Sequence, residues 1–145
     1  MAPIPVIEFR RTLRKFEREL NIQNQSRCCC GVTLTQCHAL MELDTEDRLT
    51  VNELATRLHL DKSTVSRTVD NLVRSGFVDR EIPESNRRTT YISLNKNGRN
   101  VCKTINDGNN DYYSLALRSI PASKRNDFLK VFEQLTAEMM KLNDR

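Results

Sequence analysis

The sequence holds no run of apolar residues approaching the roughly 20 needed to cross a bilayer as a helix. Its first twenty residues, MAPIPVIEFRRTLRKFEREL, lack a continuous apolar core followed by a small-residue cleavage site. We read no secretory signal there and expect a cytoplasmic protein with no membrane partner. Nor does the chain contain a nucleophile–base pair, a phosphate-binding loop or a paired acid site, so a non-enzymatic role is expected. Tryptophan is absent, and there is no internal repeat or low-complexity stretch. The cysteines are odd in number, at five, which argues against a disulfide framework in a reducing compartment.

What remains is 145 residues, 38% hydrophobic and 29% charged, a composition suited to a folded, charged-surface domain. A net charge of +4 permits a polyanionic partner without arguing for one. The placement of the charges matters more.

Val6, Phe9, Leu13, Phe16 and Leu20 alternate spacings of three and four, the seam of an amphipathic helix packed on another helix. Asn21 to Gly31 reads as a connection. Thr33 and Gln36 form a capping-box pair opening a second helix that reaches about Leu43. Two short apolar stripes follow: Val51, Leu54, Ala55 and Leu58, then Val65, Val69, Leu72 and Val73. His59-Leu60-Asp61 separates them and Gly76 ends the second, which is a helix-turn-helix pattern. Phe77–Ile82 and Thr89–Leu94 have strand character around a turn at Pro83–Arg88, giving a β-hairpin with Arg87 and Arg88 near its tip. Asn95 caps a long helix whose centre, Asn106–Asp111, is poor in helix formers and is expected to be weak or bent. Pro121 suits the start of a last helix, where Phe128, Phe132, Leu135, Met139 and Leu142 repeat the three-four seam.

The second helix of the pair exposes Lys62, Ser63, Thr64, Ser66, Arg67, Asn71 and Arg74, a face free of acid except for Asp70. A merely solvated helix usually mixes glutamate with lysine. Short hydroxyls can approach phosphates and base edges, and Arg67 can take guanine bidentately in a major groove. Arg87 and Arg88 at a hairpin tip can reach a minor groove or grip phosphates. The competing readings are a plain helical hairpin with a solvated turn, and a winged-helix protein-interaction module that does not read DNA.

The run TVNELATRLHLDKSTVSRTVDNLVRSGFVDR closely resembles the MarR family of bacterial and archaeal transcription regulators, and NRRTTYISLNKNGR is similar to that family's wing and next-helix start. The resemblance implies a mainly α fold: a winged helix-turn-helix core with a small β-hairpin wing, flanked by N- and C-terminal helices that form a dimerisation base. One chain-long domain, 1–145, is then divided into dimerisation helices over 1–30 and 95–145 and a DNA-binding lobe over 33–94. The resemblance further implies a homodimer whose recognition helices sit roughly 34–36 Å apart and read a palindromic operator in double-stranded DNA. Terminal seams too apolar to face water on a monomer agree with this. Family members mostly repress, and release DNA when a metal ion, metalloid, oxidant or aromatic compound changes the lobe spacing. Where the family wing commonly carries Asp, this chain has Asn86, which can bond a guanidinium only without charge assistance.

The unusual chemistry lies at Cys28, Cys29, Cys30 and Cys37. Three readings stay open: thiolates binding a soft metal or metalloid ion as effector, a thiol-based redox switch, or small apolar filler. Cys37 sits where relatives often carry a large apolar residue, and Cys102, beside Val101 in a core stripe, is expected to be filler. His38, about 100° around the helix from Cys37, cannot easily chelate with it. His59 is expected to be a turn or DNA-proximal residue.

Overall fold

A computed structural model describes residues 2–26 and 31–144. Two units are distinguishable, one ending at Ile105 and the other beginning at Asn106. The first holds α1 (Val6–Ser26), α2 (Leu34–Asp44), β1 (Leu49–Thr50), α3 (Val51–Leu58), α4 (Lys62–Arg74), β2 (Val78–Glu81), β3 (Tyr91–Leu94) and the first part of α5 (Lys96–Leu117). The second holds the rest of α5, a 3-10 turn (Ala122–Lys124) and α6 (Arg125–Asn143). The chain is thus mainly helical, with a winged helix-turn-helix in the first unit.

Each boundary there has a chemical cause. Thr33 caps α2 in a full capping box: its hydroxyl accepts from the Gln36 amide at 3.2 Å while the Gln36 side chain accepts from the Thr33 amide at 3.0 Å. Thr50 and Asp61 cap α3 and α4 in the same way, each accepting an amide three residues on at 3.0 Å. At the end of α3, His59 takes a left-handed conformation (φ 53°), with the Leu60 amide reaching back to the Ala55 carbonyl. Gly76 does the same for α4 at φ 80°, and the Phe77 amide bonds the Leu72 carbonyl at 3.1 Å. These two reversals set the angle between α3 and α4 and aim the chain from α4 into the wing.

The core lies between the helix pair and the sheet. Leu40 and Leu43 of α2, Leu54 of α3, Val65, Val69 and Leu72 of α4, Ile92 of β3 and Cys102 of α5 are all fully buried. Each such aliphatic side chain contributes roughly 1.5–3 kcal/mol by leaving water. The sheet is antiparallel, ordered β1-β3-β2, with Leu49 opposite Ile92 and Val78 opposite Leu94. At the base of the wing α5 approaches the backbone closely. Asn95 donates to the Gly76 carbonyl at 2.8 Å and accepts the Gly98 amide at 2.9 Å, capping α5. A Cβ on Gly98 would lie 2.1 Å from the Phe77 carbonyl oxygen, so only glycine fits.

Several sequence expectations need correction. α1 runs to Ser26, through half of the segment read as a connection, and Gln23 within it is buried. The strands are shorter than expected, at Val78–Glu81 and Tyr91–Leu94, while β1 adds a third. α5 passes unbroken through Asn106–Asp111, because helix propensity is a weak preference that tertiary context overrides. Pro121 precedes the 3-10 turn, and α6 begins only at Arg125.

Candidate nucleic-acid interface

α4 buries Val65, Thr68, Val69 and Leu72 against the core, and the 3.6-residue period leaves the opposite face outward. Lys62, Ser63, Ser66, Arg67, Asn71 and Arg74 are exposed on that outward face, and Thr64 is half-buried at its edge. All seven belong to a single helix, so their spacing is fixed by helix geometry. Thr68, between them in sequence, turns inward and donates its hydroxyl to the Thr64 carbonyl at 2.9 Å.

The N-terminal turn of α4 is wired more tightly than its sequence suggests. The Thr64 hydroxyl donates to one Asp61 carboxylate oxygen at 2.6 Å, and the Thr64 amide donates to the other at 3.0 Å. These bonds hold the Asp61 carboxyl below the usual carboxylate range, helped by the nearby Arg67 charge. Arg67 in turn donates from Nη2 to the Thr64 hydroxyl oxygen at 3.3 Å.

The solitary acid of the exposed face, Asp70, is paired with Arg80 of β2. This ion pair ties the helix to the wing and offsets the single negative charge on an otherwise basic and neutral surface. Sequence reasoning missed it; the signal was an isolated acid on α4 ten residues ahead of an arginine on a short strand. On the sheet side, Arg48 lies over the Tyr91 ring at 3.9 Å and reaches Glu81 at 3.7 Å. α3 is fastened to α2 by Arg57, which contacts Glu46 at 2.8 Å and Glu42 at 3.5 Å.

Arg87 and Arg88 fall in the exposed turn between β2 and β3. There Asn86 accepts the Arg88 backbone amide at 3.2 Å, an Asx-type turn. Its side-chain oxygen therefore shapes the tip's backbone instead of holding a guanidinium.

The cysteines separate. Cys28, Cys29 and Cys30 lie outside the described residues. Cys37, in the first turn of α2, is half-buried and packs on the core, while neighbouring His38 is exposed. Among the described residues no group of three or more His, Cys, Asp or Glu side chains is arranged to hold a metal ion. Cys102 is fully buried, 3.5 Å from the Leu40 carbonyl oxygen, and burial pushes its thiol up to about 12, with Asp44 and Cys37 adding to the shift. It packs as a small apolar residue, as expected.

The terminal helices present a different surface. Phe9 and Phe16 of α1 are exposed in the first unit, and no residue of α6 is buried in the second. Phe128, Phe132, Leu135, Met139 and Leu142 all stand open to solvent in the single chain, with Phe128 and Phe132 stacked at 5.7 Å. No helix among the described residues is long and apolar enough to cross a membrane.

A profile of the MarR family matches residues 32–90, a span that begins just ahead of α2 and ends in the wing. An uncharacterized HTH-type transcriptional regulator of Mycobacterium leprae, ML2140, is 26% identical over 126 residues, covering 87% of this chain and 85% of its own. Among solved structures, a MarR family protein from Bacillus stearothermophilus is similar at TM-score 0.80 and 26% identity, covering 97% of this chain and 99% of its own. The fold is also that of Streptococcus pneumoniae FabT, solved in complex with DNA, at TM-score 0.79 and 17% identity over 95% of this chain and 97% of its own.

Proposed function

With residues 32–90 belonging to the MarR family, we propose that this transcriptional regulator binds a palindromic operator as a homodimer and represses by covering a promoter. The observation that carries the DNA reading is the outward face of α4, where every ionisable side chain except Asp70 is basic and Asp70 is already paired with Arg80. In this reading α4 enters the major groove. Arg67 takes a guanine edge, with Ser63, Ser66 and Asn71 beside it, while Lys62 and Arg74 contact phosphates. Arg87 and Arg88, on a turn whose backbone Asn86 shapes, reach the flanking groove or its phosphates.

The terminal helices support the dimer. A 19-residue helix with no buried residue and five large apolar side chains at three-four spacing has its natural partner in a second helix surface. In this reading residues 1–30 and 95–145 are the dimerisation segments and 33–94 the DNA-binding lobe. A dimer also gives the twofold symmetry that a palindrome requires.

For the effector we propose a soft metal or metalloid ion held by the thiolates of Cys28, Cys29 and Cys30, with Cys37 seven residues further along the sequence. Native mass spectrometry of oxygen-free protein with arsenite, zinc or copper(I) tests this. Ion mass gained with protons lost, and abolished by Cys30→Ser and Cys37→Ser, supports a metal or metalloid sensor. A bare dimer with every ion overturns it in favour of an oxidant or aromatic ligand.

The DNA reading is tested by separating its two kinds of contact. Arg67→Ala should cost about 1–3 kcal/mol on the operator and relax specificity at one position, while Lys62→Ala weakens all duplexes alike. Equal losses on operator and random duplex for both variants would contradict the division.

A further inference from the structure

We propose that Thr64 is a positioning residue rather than a reader of DNA: anchored by Asp61, its hydroxyl holds the Arg67 guanidinium ready for the base edge. The inference deepens the proposed recognition by Arg67 and rests on it.

A threonine hydroxyl has one proton and two lone pairs. In Thr64 the proton is already committed to the Asp61 carboxylate at 2.6 Å, the usual length of a charge-assisted hydroxyl–carboxylate bond. Nothing is left to donate to a phosphate or a base acceptor. What remains is an acceptor, made stronger because the carboxylate polarises the O–H bond. Arg67, one turn further along the same face, places Nη2 3.3 Å from that oxygen.

The anchor is stiff at every link. Asp61 is held twice, through the Thr64 hydroxyl and the Thr64 amide. Thr64 is β-branched, which restricts its χ1, and half-buried. Arg67, by contrast, is exposed, and a free arginine carries roughly 2 kcal/mol of rotamer entropy that groove binding must remove. Fixing one N–H of the fork on Thr64 removes part of that freedom beforehand and leaves the other donors for O6 and N7 of guanine. Asp61 thus has two duties: it starts α4 and it holds the side chain that α4 uses.

The test compares binding to a duplex selected by this protein from a random pool with binding to the same duplex scrambled, for Thr64→Val, Thr64→Ser, Arg67→Ala and the double variant Thr64→Val/Arg67→Ala. The expected result is a roughly tenfold loss of the selected-to-scrambled affinity ratio in Thr64→Val, with an unchanged salt slope. Thr64→Ser restores the ratio to within about twofold, because it keeps the hydroxyl. In the Arg67→Ala background Thr64→Val changes the ratio no further. A helix-capping role alone lowers the melting temperature without moving the ratio. The inference is overturned if Thr64→Val discriminates like wild type while Arg67→Ala does not, or if the two losses multiply in the double variant. If Arg67→Ala itself discriminates like wild type, the proposed recognition by Arg67 falls, and this inference with it.

Discussion

Replacing Gly98 by alanine should weaken the fold far more than its chemistry suggests. In an open helix interior alanine is the better residue by about 1 kcal/mol. At Gly98 the added methyl carbon would stand 2.1 Å from the Phe77 carbonyl oxygen and 3.0 Å from Leu94 Cδ2. Backbone cannot swing aside as a side chain does, so α5 must retreat from the wing base by about 0.9 Å to bring 2.1 Å to a tolerable 3.0 Å. Overpacking of this kind costs about 1–3 kcal/mol. The retreat also stretches the bonds from Asn95 to the Gly76 and Phe77 carbonyls, at 2.8 and 3.2 Å, each contributing about 1 kcal/mol. Set against the gain in propensity, the net loss is about 2–4 kcal/mol, or roughly 6–12 °C in Tm for a chain of this size. Thermal melts at one fixed protein concentration measure it, since the Tm of any self-associating protein depends on concentration. Gly76→Ala is the comparison. It has the left-handed backbone, but a Cβ added there would meet no neighbouring atom within 4 Å, so it should cost only about 1–2 kcal/mol. A Gly98→Ala protein that melts at or above wild type would refute the close-approach argument.

Two further outcomes follow from the ionisable groups. Asp61 has its carboxyl held below the ordinary range, so its contribution is present above that range and is lost as pH falls through and below about 4. Urea midpoints taken between pH 7 and pH 3 should show the gap between wild type and Asp61→Asn closing toward the acid end; a constant gap would contradict the assignment. Cys102, buried and with its thiol pushed up to about 12, should resist alkylation at pH 8 until the protein unfolds. Mass mapping of labelled peptides checks this, and rapid labelling of Cys102 in native protein would show that the core opens locally.

The parts of this molecule legible in the sequence are those written in local chemistry. The Thr33–Gln36 capping box, the two stripes around His59-Leu60-Asp61, the stop at Gly76 and the Asn95 cap all depend on residues within four positions of each other. They appear in the structure where the spacing placed them. Elements set by distant contacts were not legible. β1 has two residues, too few to show alternation, and exists because β3 offers Leu49 and Thr50 a partner. The unbroken α5 and the extension of α1 to Ser26 go against weak local preferences. On the candidate interface, the exposed face of α4 was readable from period alone. The Asp70–Arg80 pair was not, since it needs the turn at Gly76 to fold β2 back onto α4. Sequence alone groups Thr64 with the other hydroxyls; only the geometry distinguishes a side chain whose proton is already taken.

In the proposed function two copies of this chain read a symmetric site. The most direct measurement is selection of bound duplexes from a random-sequence pool by the purified full chain, followed by sequencing. The account predicts enrichment of an inverted repeat whose half-sites are centred about one helical turn, roughly 10–10.5 base pairs, apart. Recovery of unenriched sequences, or of a single half-site without its symmetric mate, would contradict it.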